Sequence, residues 1–321
     1  MEYVRFGTTG FEVSRMGLGC MSMSGAYGPS DDAEAIATLH RAFDLGVNFL
    51  DTSASYGNGH NHDLIRRALQ GRRERVFIHS KSGSIRTDDG RSLGGGSPEY
   101  LTMVCERSLK SLDIETLDVF CLSRVDAGVP IEESVGAMAR LVEQGKTRYI
   151  ALSEAGPESI RRANSVHPIV SLQMEYSLWS REAENGNIAA CLEHGMGFMA
   201  YSVLGRGFLA GLFHTLDDLP AADNRRSSSR FQPGSMDSSL QVLSAVEALA
   251  KEKRATPAQI ALAWALAQGA DIIPIPGCKS RAHLEEDLGA LEIELDKDDR
   301  ARLDAVAPPS GGAREQIYRP R

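Results

Sequence analysis

Several things that would place this chain in a functional class are missing from it. The five cysteines, Cys20, Cys105, Cys121, Cys191 and Cys278, lie far apart with no C-x-x-C pair among them. Neither a disulfide framework nor zinc-ligand spacing is therefore indicated, and reduced thiols in a cytoplasmic setting are expected. No apolar run approaches the roughly 18 residues of a membrane helix, and the chain opens without a charged-then-apolar leader. A soluble protein is expected. The formal charge is −8 and no dense basic stripe interrupts it, which argues against nucleic acid or an anionic membrane as partner. No G-x-G-x-x-G follows the first strand-like run, so a Rossmann dinucleotide unit is not indicated either.

What remains is an ordinary globular composition, 42% hydrophobic over 321 residues, enough for a sizeable core. That length fits two average domains or one α/β barrel. Strand-like and helix-like segments alternate, the mark of repeated βα units around a parallel sheet. Strands are expected near Met16–Leu18, Asn48–Asp51, Val76–Ser80, Leu117–Leu122, Tyr149–Leu152, Val170–Met174, Gly197–Tyr201 and Ile272–Pro274, with a strand pair around a Thr-Thr-Gly turn before them. Two helices, about Ser239–Lys253 and Thr256–Gln268, should precede the last strand, and another near Asp296–Val306 should follow it. Thr256-Pro257-Ala258-Gln259 reads as a capping box with proline at the first helical position; Ser97-Pro98 and Asp31 with Glu34 are weaker starts of the same kind. Ser84 to Ser97 and Ala222 to Ser239 break the rhythm and read as long loops on the active side, with plain disorder as the rival for Arg225–Arg230. The tail Ser310–Arg321 should be mobile without ligand.

The chemistry gathers at strand ends. The run Asn48-Phe49-Leu50-Asp51 ends on a carboxylate, and Tyr56 follows a turn of small residues. The next run, Val76 to Ser80, ends on Lys81. Carboxylate, phenol and ammonium at neighbouring strand ends are the parts of a tyrosine proton donor: Lys81 would draw the phenol below its ordinary pKa of about 10, and Asp51 would hold Lys81. His60-Asn61-His62 offers the His-x-His of metal-dependent barrel hydrolases, but later strands end on Ser153, Gln173 and Tyr201 rather than on further ligands, so no metal is expected. His62–Leu69 reads instead as a helix.

The phrases FLDTSASYG and HSKSG, then ALSEAG (Ala151 to Gly156), SLQMEYSLWS (Ser171 to Ser180), AYSVLGRGFLAG (Ala200 to Gly211) and PIPGCK (Pro274 to Lys279), occur in the order and spacing of one family. In them the chain resembles the aldo-keto reductases, NADPH-dependent carbonyl reductases. The resemblance implies a (β/α)8 TIM barrel spanning 1–321 as one domain. It adds an N-terminal β-hairpin cap over about 1–15, extra C-terminal helices and a tail over about 308–321. It implies catalysis by Asp51, Tyr56 and Lys81 and an extended NADPH across the barrel top. Ser153, Glu154 and Gln173 would hold the nicotinamide carboxamide, with Tyr201 under the ring and Ser202, Leu204, Gly205 and Arg206 alongside. Gly277, Lys279 and Arg281 would meet the 2′-phosphate, and Glu286 and Asp287 the adenine. The substrate implied is a small carbonyl compound; a homo-oligomer is left open.

Three positions leave the family pattern. Glu154 and Asp287 stand where asparagine is usual. Ser123 stands where the phrase His-Arg-Val-Asp carries the catalytic histidine. A hydroxymethyl group reaches a substrate oxygen only through water, so slow turnover of simple aldehydes and room for a bulkier substrate are expected. Arg124 is read as a poor substitute, because adjacent strand residues face opposite ways. Two alternatives stay open: a catalytically weakened NADPH-binding or regulatory protein on the same fold, as in potassium-channel β subunits, and a C=C reductase.

Overall fold

The structure is a computed structural model that describes all residues except 88–89, 91, 222, 228–230, 232–234, 307–316 and 319–321. Eight parallel strands form one sheet: Leu18–Gly19, Phe49–Ser53, Phe77–Lys81, Leu117–Leu122, Thr147–Ser153, Ser171–Glu175, Gly197–Tyr201 and Ile272–Pro274, each hydrogen-bonded to the next. The first and last meet as well. Gly17 N–H donates to Pro274 O at 3.0 Å and Gly19 N–H to Pro276 O at 2.9 Å, and Gly19 bridges Gly277 in parallel. Glycine is required at this seam, because a Cβ on Gly19 would stand 2.9 Å from Ile275 O. The (β/α)8 barrel is thereby closed, and a closed sheet has no edge to protect.

The period of two along each strand sorts side chains into two cores. Leu50, Ile78, Phe120, Leu122, Ile150, Leu152 and Leu172 face outward, into the apolar layer beneath the helices. Phe49, Phe77, Val119, Cys121, Ala151, Met199 and Ile273 face inward and fill the barrel. Following the inward rows upward, apolar groups give way to polar ones: Phe49 to Asp51, Phe77 to His79 and Lys81, Ala151 to Ser153, Met199 to Tyr201. The upper end is therefore wet and reactive, and the lower end is sealed. The seal is the hairpin of Tyr3–Arg5 and Glu12–Ser14, paired Tyr3↔Ser14, whose buried Phe6 packs edge-on against Phe49 and Phe77 at 5.0 and 5.3 Å.

Helices α1 (Asp32–Asp44), α2 (His60–Ala68), α3 (Pro98–Leu112), α4 (Ile131–Glu143), α5 (Pro157–Val166) and α6 (Asn187–Glu193) each follow a strand. Before the last strand come α7 (Ser235–Lys253) and α8 (Pro257–Leu266); α9 (Arg281–Leu288) and α10 (Lys297–Val306) follow it. The expected starts are in place: Asp31, Ser97 and Thr256 side chains accept from the N–H groups of Glu34, Tyr100 and Gln259. Three strands, Leu117–Leu122, Gly197–Tyr201 and Ile272–Pro274, keep the expected bounds, and the ends of the other five shift by one or two residues, as in Leu18–Gly19 for Met16–Leu18.

The long loops have more order than their composition suggests. Ile85–Arg86 and Ser92–Leu93 form an antiparallel pair. Asn224–Ser227 makes a 3-10 turn in which Arg225 pairs with Asp223 at 2.8 Å; residues 228–230 of that stretch lie outside the described residues. Of the tail, Ile317–Tyr318 pairs in parallel with Val125–Asp126 beside the barrel mouth, and the rest lies outside the described residues.

Candidate active site

A cavity of about 670 Å³ opens at the upper barrel end. Of the seventeen residues singled out from sequence, its walls include all but Glu154, Gly205 and Arg281. At its floor Lys81 Nζ donates to both oxygens of Asp51 at 2.6 Å and to Thr52 O at 2.9 Å. The pair is buried, with Asp51 4% and Lys81 5% exposed. Burial opposes the charge on each. Lys81 and His79 together outweigh it for Asp51, whose pKa stays below its ordinary value, and Asp51 with Tyr56 outweighs it for Lys81, whose pKa is raised. Both are ionised at neutral pH.

Tyr56 begins a 3-10 turn, Tyr56–Gly59, just past the second strand, and Lys81 Nζ lies 5.0 Å from its ring centroid. The expected lowering of its pKa does not follow. Burial pushes the phenol up to about 12 against the pull of Lys81. Desolvation wins because Asp51, beside the ammonium, offsets part of its pull on the phenol. The phenol is consequently protonated at neutral pH, which is what a proton donor needs.

Ser123 lines the cavity, and its Oγ accepts the Gly83 N–H at 2.7 Å. Arg124 corrects the sequence reading, for it lines the same cavity. Its Nη1 donates to Ser123 O at 2.5 Å and Ser153 Oγ at 3.3 Å. Strand alternation does not govern it because the strand ends at Leu122. Gln173 also does something unexpected: its Nε2 donates to Asp51 Oδ1 at 2.6 Å. Glu154, expected at the carboxamide, is 1% exposed with φ +56°. Its Oε1 accepts the Glu175 N–H at 2.9 Å, and it hydrogen-bonds to Tyr201, whose burial, reinforced by that carboxylate, raises its pKa well above the usual value. Glu154 thus supports Tyr201 from beneath.

Farther out, Lys279 Nζ donates to Pro29 O at 2.6 Å and Tyr27 O at 3.2 Å. Arg281 is bound to Glu34 at 2.9 Å and is not among the residues that line the cavity. Gly205 lies under the rim, where an added Cβ would stand 2.9 Å from Trp179. Asp287 is 3% exposed, and burial beside Glu286 lifts its pKa to about 8. The two histidines of the His-x-His motif part company: His60 bridges Ser24 and Asp32, whereas buried His62 meets Ser80 Oγ at 3.1 Å. No helix among the described residues is long and apolar enough to cross a membrane.

Sequence reasoning missed His79. Its Nδ1 lies 3.0 Å from Asp51 Oδ1, and it is fully buried. The signal was available, since a residue two before Lys81 shares its inward face.

A closed parallel barrel whose strand tops bring an Asp–Lys pair under a tyrosine belongs to the barrel enzymes that work at their C-terminal face. A sequence profile of the Aldo/keto reductase family matches residues 15–308, and the chain belongs to that family. "Probable aldo-keto reductase 1" of Glycine max is 43% identical over 320 residues, 99% of this chain and 92% of that protein. A glycerol dehydrogenase from Gluconobacter oxydans superposes with a TM-score of 0.86 at 25% identity, covering 95% of this chain and 94% of its own. An aldo/keto reductase from Klebsiella pneumoniae, solved with NADP and acetate, gives 0.76 at 25% identity over 98% and 99%.

Proposed function

We propose that this protein is an NADP(H)-dependent oxidoreductase that reduces the carbonyl of a small organic substrate, with Tyr56 as general acid. Family membership and the NADP-bound Klebsiella relative support the cofactor. The cavity suits it. Tyr201 offers a ring, Ser153 and Arg124 offer donors, and Gly277 leaves room for close backbone approach, its nearest neighbours to an added Cβ being 3.6 Å away. Lys279 places a cation where the last strand gives way to the Ser280-capped start of α9, which suits a phosphate. Bound there, NADPH would supply a hydride to the carbonyl carbon.

The protein's part is to move one proton. Tyr56 donates it to the carbonyl oxygen, which becomes the alcohol hydroxyl, and Lys81 stabilises the phenolate that remains until solvent returns the proton. Asp51 keeps Lys81 charged and in place. The observation that carries this reading is the buried Lys81 clamped on Asp51 5.0 Å from the Tyr56 ring. A small-molecule substrate fits the enclosed cavity, and the charge of −8 favours neither nucleic acid nor an anionic membrane as partner.

The test is NADPH oxidation with a panel of aldehydes and ketones by the intact protein and Tyr56→Phe. The variant should lose about 10²–10⁴ in kcat and bind NADPH as before. Tight NADPH binding by the intact protein with no carbonyl turned over would favour a cofactor-binding regulatory role, and reduction confined to activated C=C bonds would favour that chemistry instead.

A further inference from the structure

We propose that His79 is a positioning residue for the acid: it holds Asp51 from below so that the charge of Lys81 is directed to Tyr56. The inference rests on the carbonyl-reductase reading above and deepens it. Asp51 and His79 are paired across neighbouring strands, and both face into the barrel. The Nδ1 of His79 approaches Asp51 Oδ1 at 3.0 Å. Between an imidazole nitrogen and a carboxylate oxygen a proton is needed, so Nδ1 carries it and donates. The other nitrogen, Nε2, is buried without a hydrogen-bond partner.

That orphan acceptor has a cost that an apolar side chain would avoid. The inward neighbours Phe49, Phe77, Val119 and Met199 fill the same interior with no polar atom to satisfy. Packing alone therefore gives no reason for histidine here; the bond to Asp51 does. With it, Oδ1 accepts from His79, Lys81 and Gln173, and Oδ2 from Lys81. A carboxylate whose charge is shared among three side chains neutralises Lys81 less completely, and the remainder of the ammonium's field falls on Tyr56. This matters more where Ser123 stands in place of an imidazole donor.

The other titratable groups around the pair are quiet. Burial holds the thiols of Cys20 and Cys121 in the neutral form, and Tyr56 is protonated at neutral pH. Burial likewise lowers the pKa of His79 against the pull of Asp51, which keeps the ring neutral.

The experiment compares the intact enzyme with His79→Leu and His79→Asn, the second restoring an N–H donor near the position of Nδ1. Steady-state kcat, NADPH affinity by fluorescence quenching, thermal midpoint and the pH profile of alcohol oxidation with NADP⁺ are read for each. His79→Leu should lose on the order of tenfold in kcat, the lower end of what removing a hydrogen-bond partner behind a metal ligand costs. It should keep its NADPH affinity and its thermal midpoint, and its oxidation rate should level off at higher pH than in the intact enzyme. His79→Asn should recover most of the rate and return the profile. Loss of thermal stability in His79→Leu with an unmoved pH profile, or unchanged kcat, would overturn the proposal. An intact protein that turns over no carbonyl would sink the carbonyl-reductase reading itself, and the positioning role with it.

Discussion

Ser123 and Asp287 show how single side chains decide what this site can do. The short side chain of Ser123 is expected to reach a substrate oxygen only through water, and its Oγ already accepts the Gly83 N–H. Ser123→His should therefore speed reduction of a small aldehyde by tenfold or more, part of the 10²–10³ that one preorganised donor is worth, and slow a bulky substrate that uses the vacated space. Steady-state kinetics on both substrates checks this, and no change on either would remove position 123 from the site. Asp287 turns its departure from asparagine into a pH effect. With its pKa lifted to about 8, it is a protonated acid at neutral pH, and its O–H can donate as an amide N–H would. NADPH affinity should consequently fall as pH rises through about 8. The dissociation constant titrated by fluorescence should flatten over that range in Asp287→Asn.

Among the helices, α8 depends most on its cap. It is buried on most sides from Ile260 through Ala265, and its first N–H groups lack intrahelical partners. Thr256 Oγ1 accepts from Gln259 N–H, and Gln259 Oε1 accepts from Thr256 N–H at 3.0 Å. Gln259 Nε2 then reaches Glu286 O at 3.0 Å and ties α8 to α9. Thr256→Ala should destabilise the protein by about 1 kcal/mol, read as a lower urea midpoint with unchanged slope. This element was legible from four residues because capping is local chemistry. The strand ends were less so: Lys81 and Ser153 fall inside strands expected to stop before them, because hydrogen bonds to neighbouring strands, absent from a single sequence, extend them.

At the scale of the whole barrel, acid resistance is limited by imidazoles that fold uncharged. His62 is buried, and burial lowers its pKa from 6.5 to about 4, with Lys81 adding to the effect. In the unfolded chain it binds a proton near the ordinary value, so the unfolded state holds more protons between the two. Its contribution is whole above about pH 6.5 and is lost as pH falls toward about 4, on the order of 3 kcal/mol. His79, lowered in the same direction, adds to the loss. The unfolding free energy should drop accordingly between neutral pH and about pH 4.5, and His62→Gln should drop less.

The sequence by itself determined the alternation of strands and helices, the closed (β/α)8 architecture through its ordered motifs, the caps of α1, α3 and α8, and the meeting of Asp51, Tyr56 and Lys81. Each of these follows from period, capping chemistry or motif order, which are properties of neighbours along the chain. Tertiary structure alone decided which way side chains turn once a strand ends, and what burial does to them. Arg124 reaches the cavity because alternation stops at Leu122, and Arg281 pairs with Glu34, distant in sequence. Glu154 and Gln173 are drawn to partners on other strands. Tyr56 keeps its proton because desolvation outweighs a neighbouring ammonium whose field Asp51 partly offsets, a balance set by distances in space that no reading of adjacent residues contains.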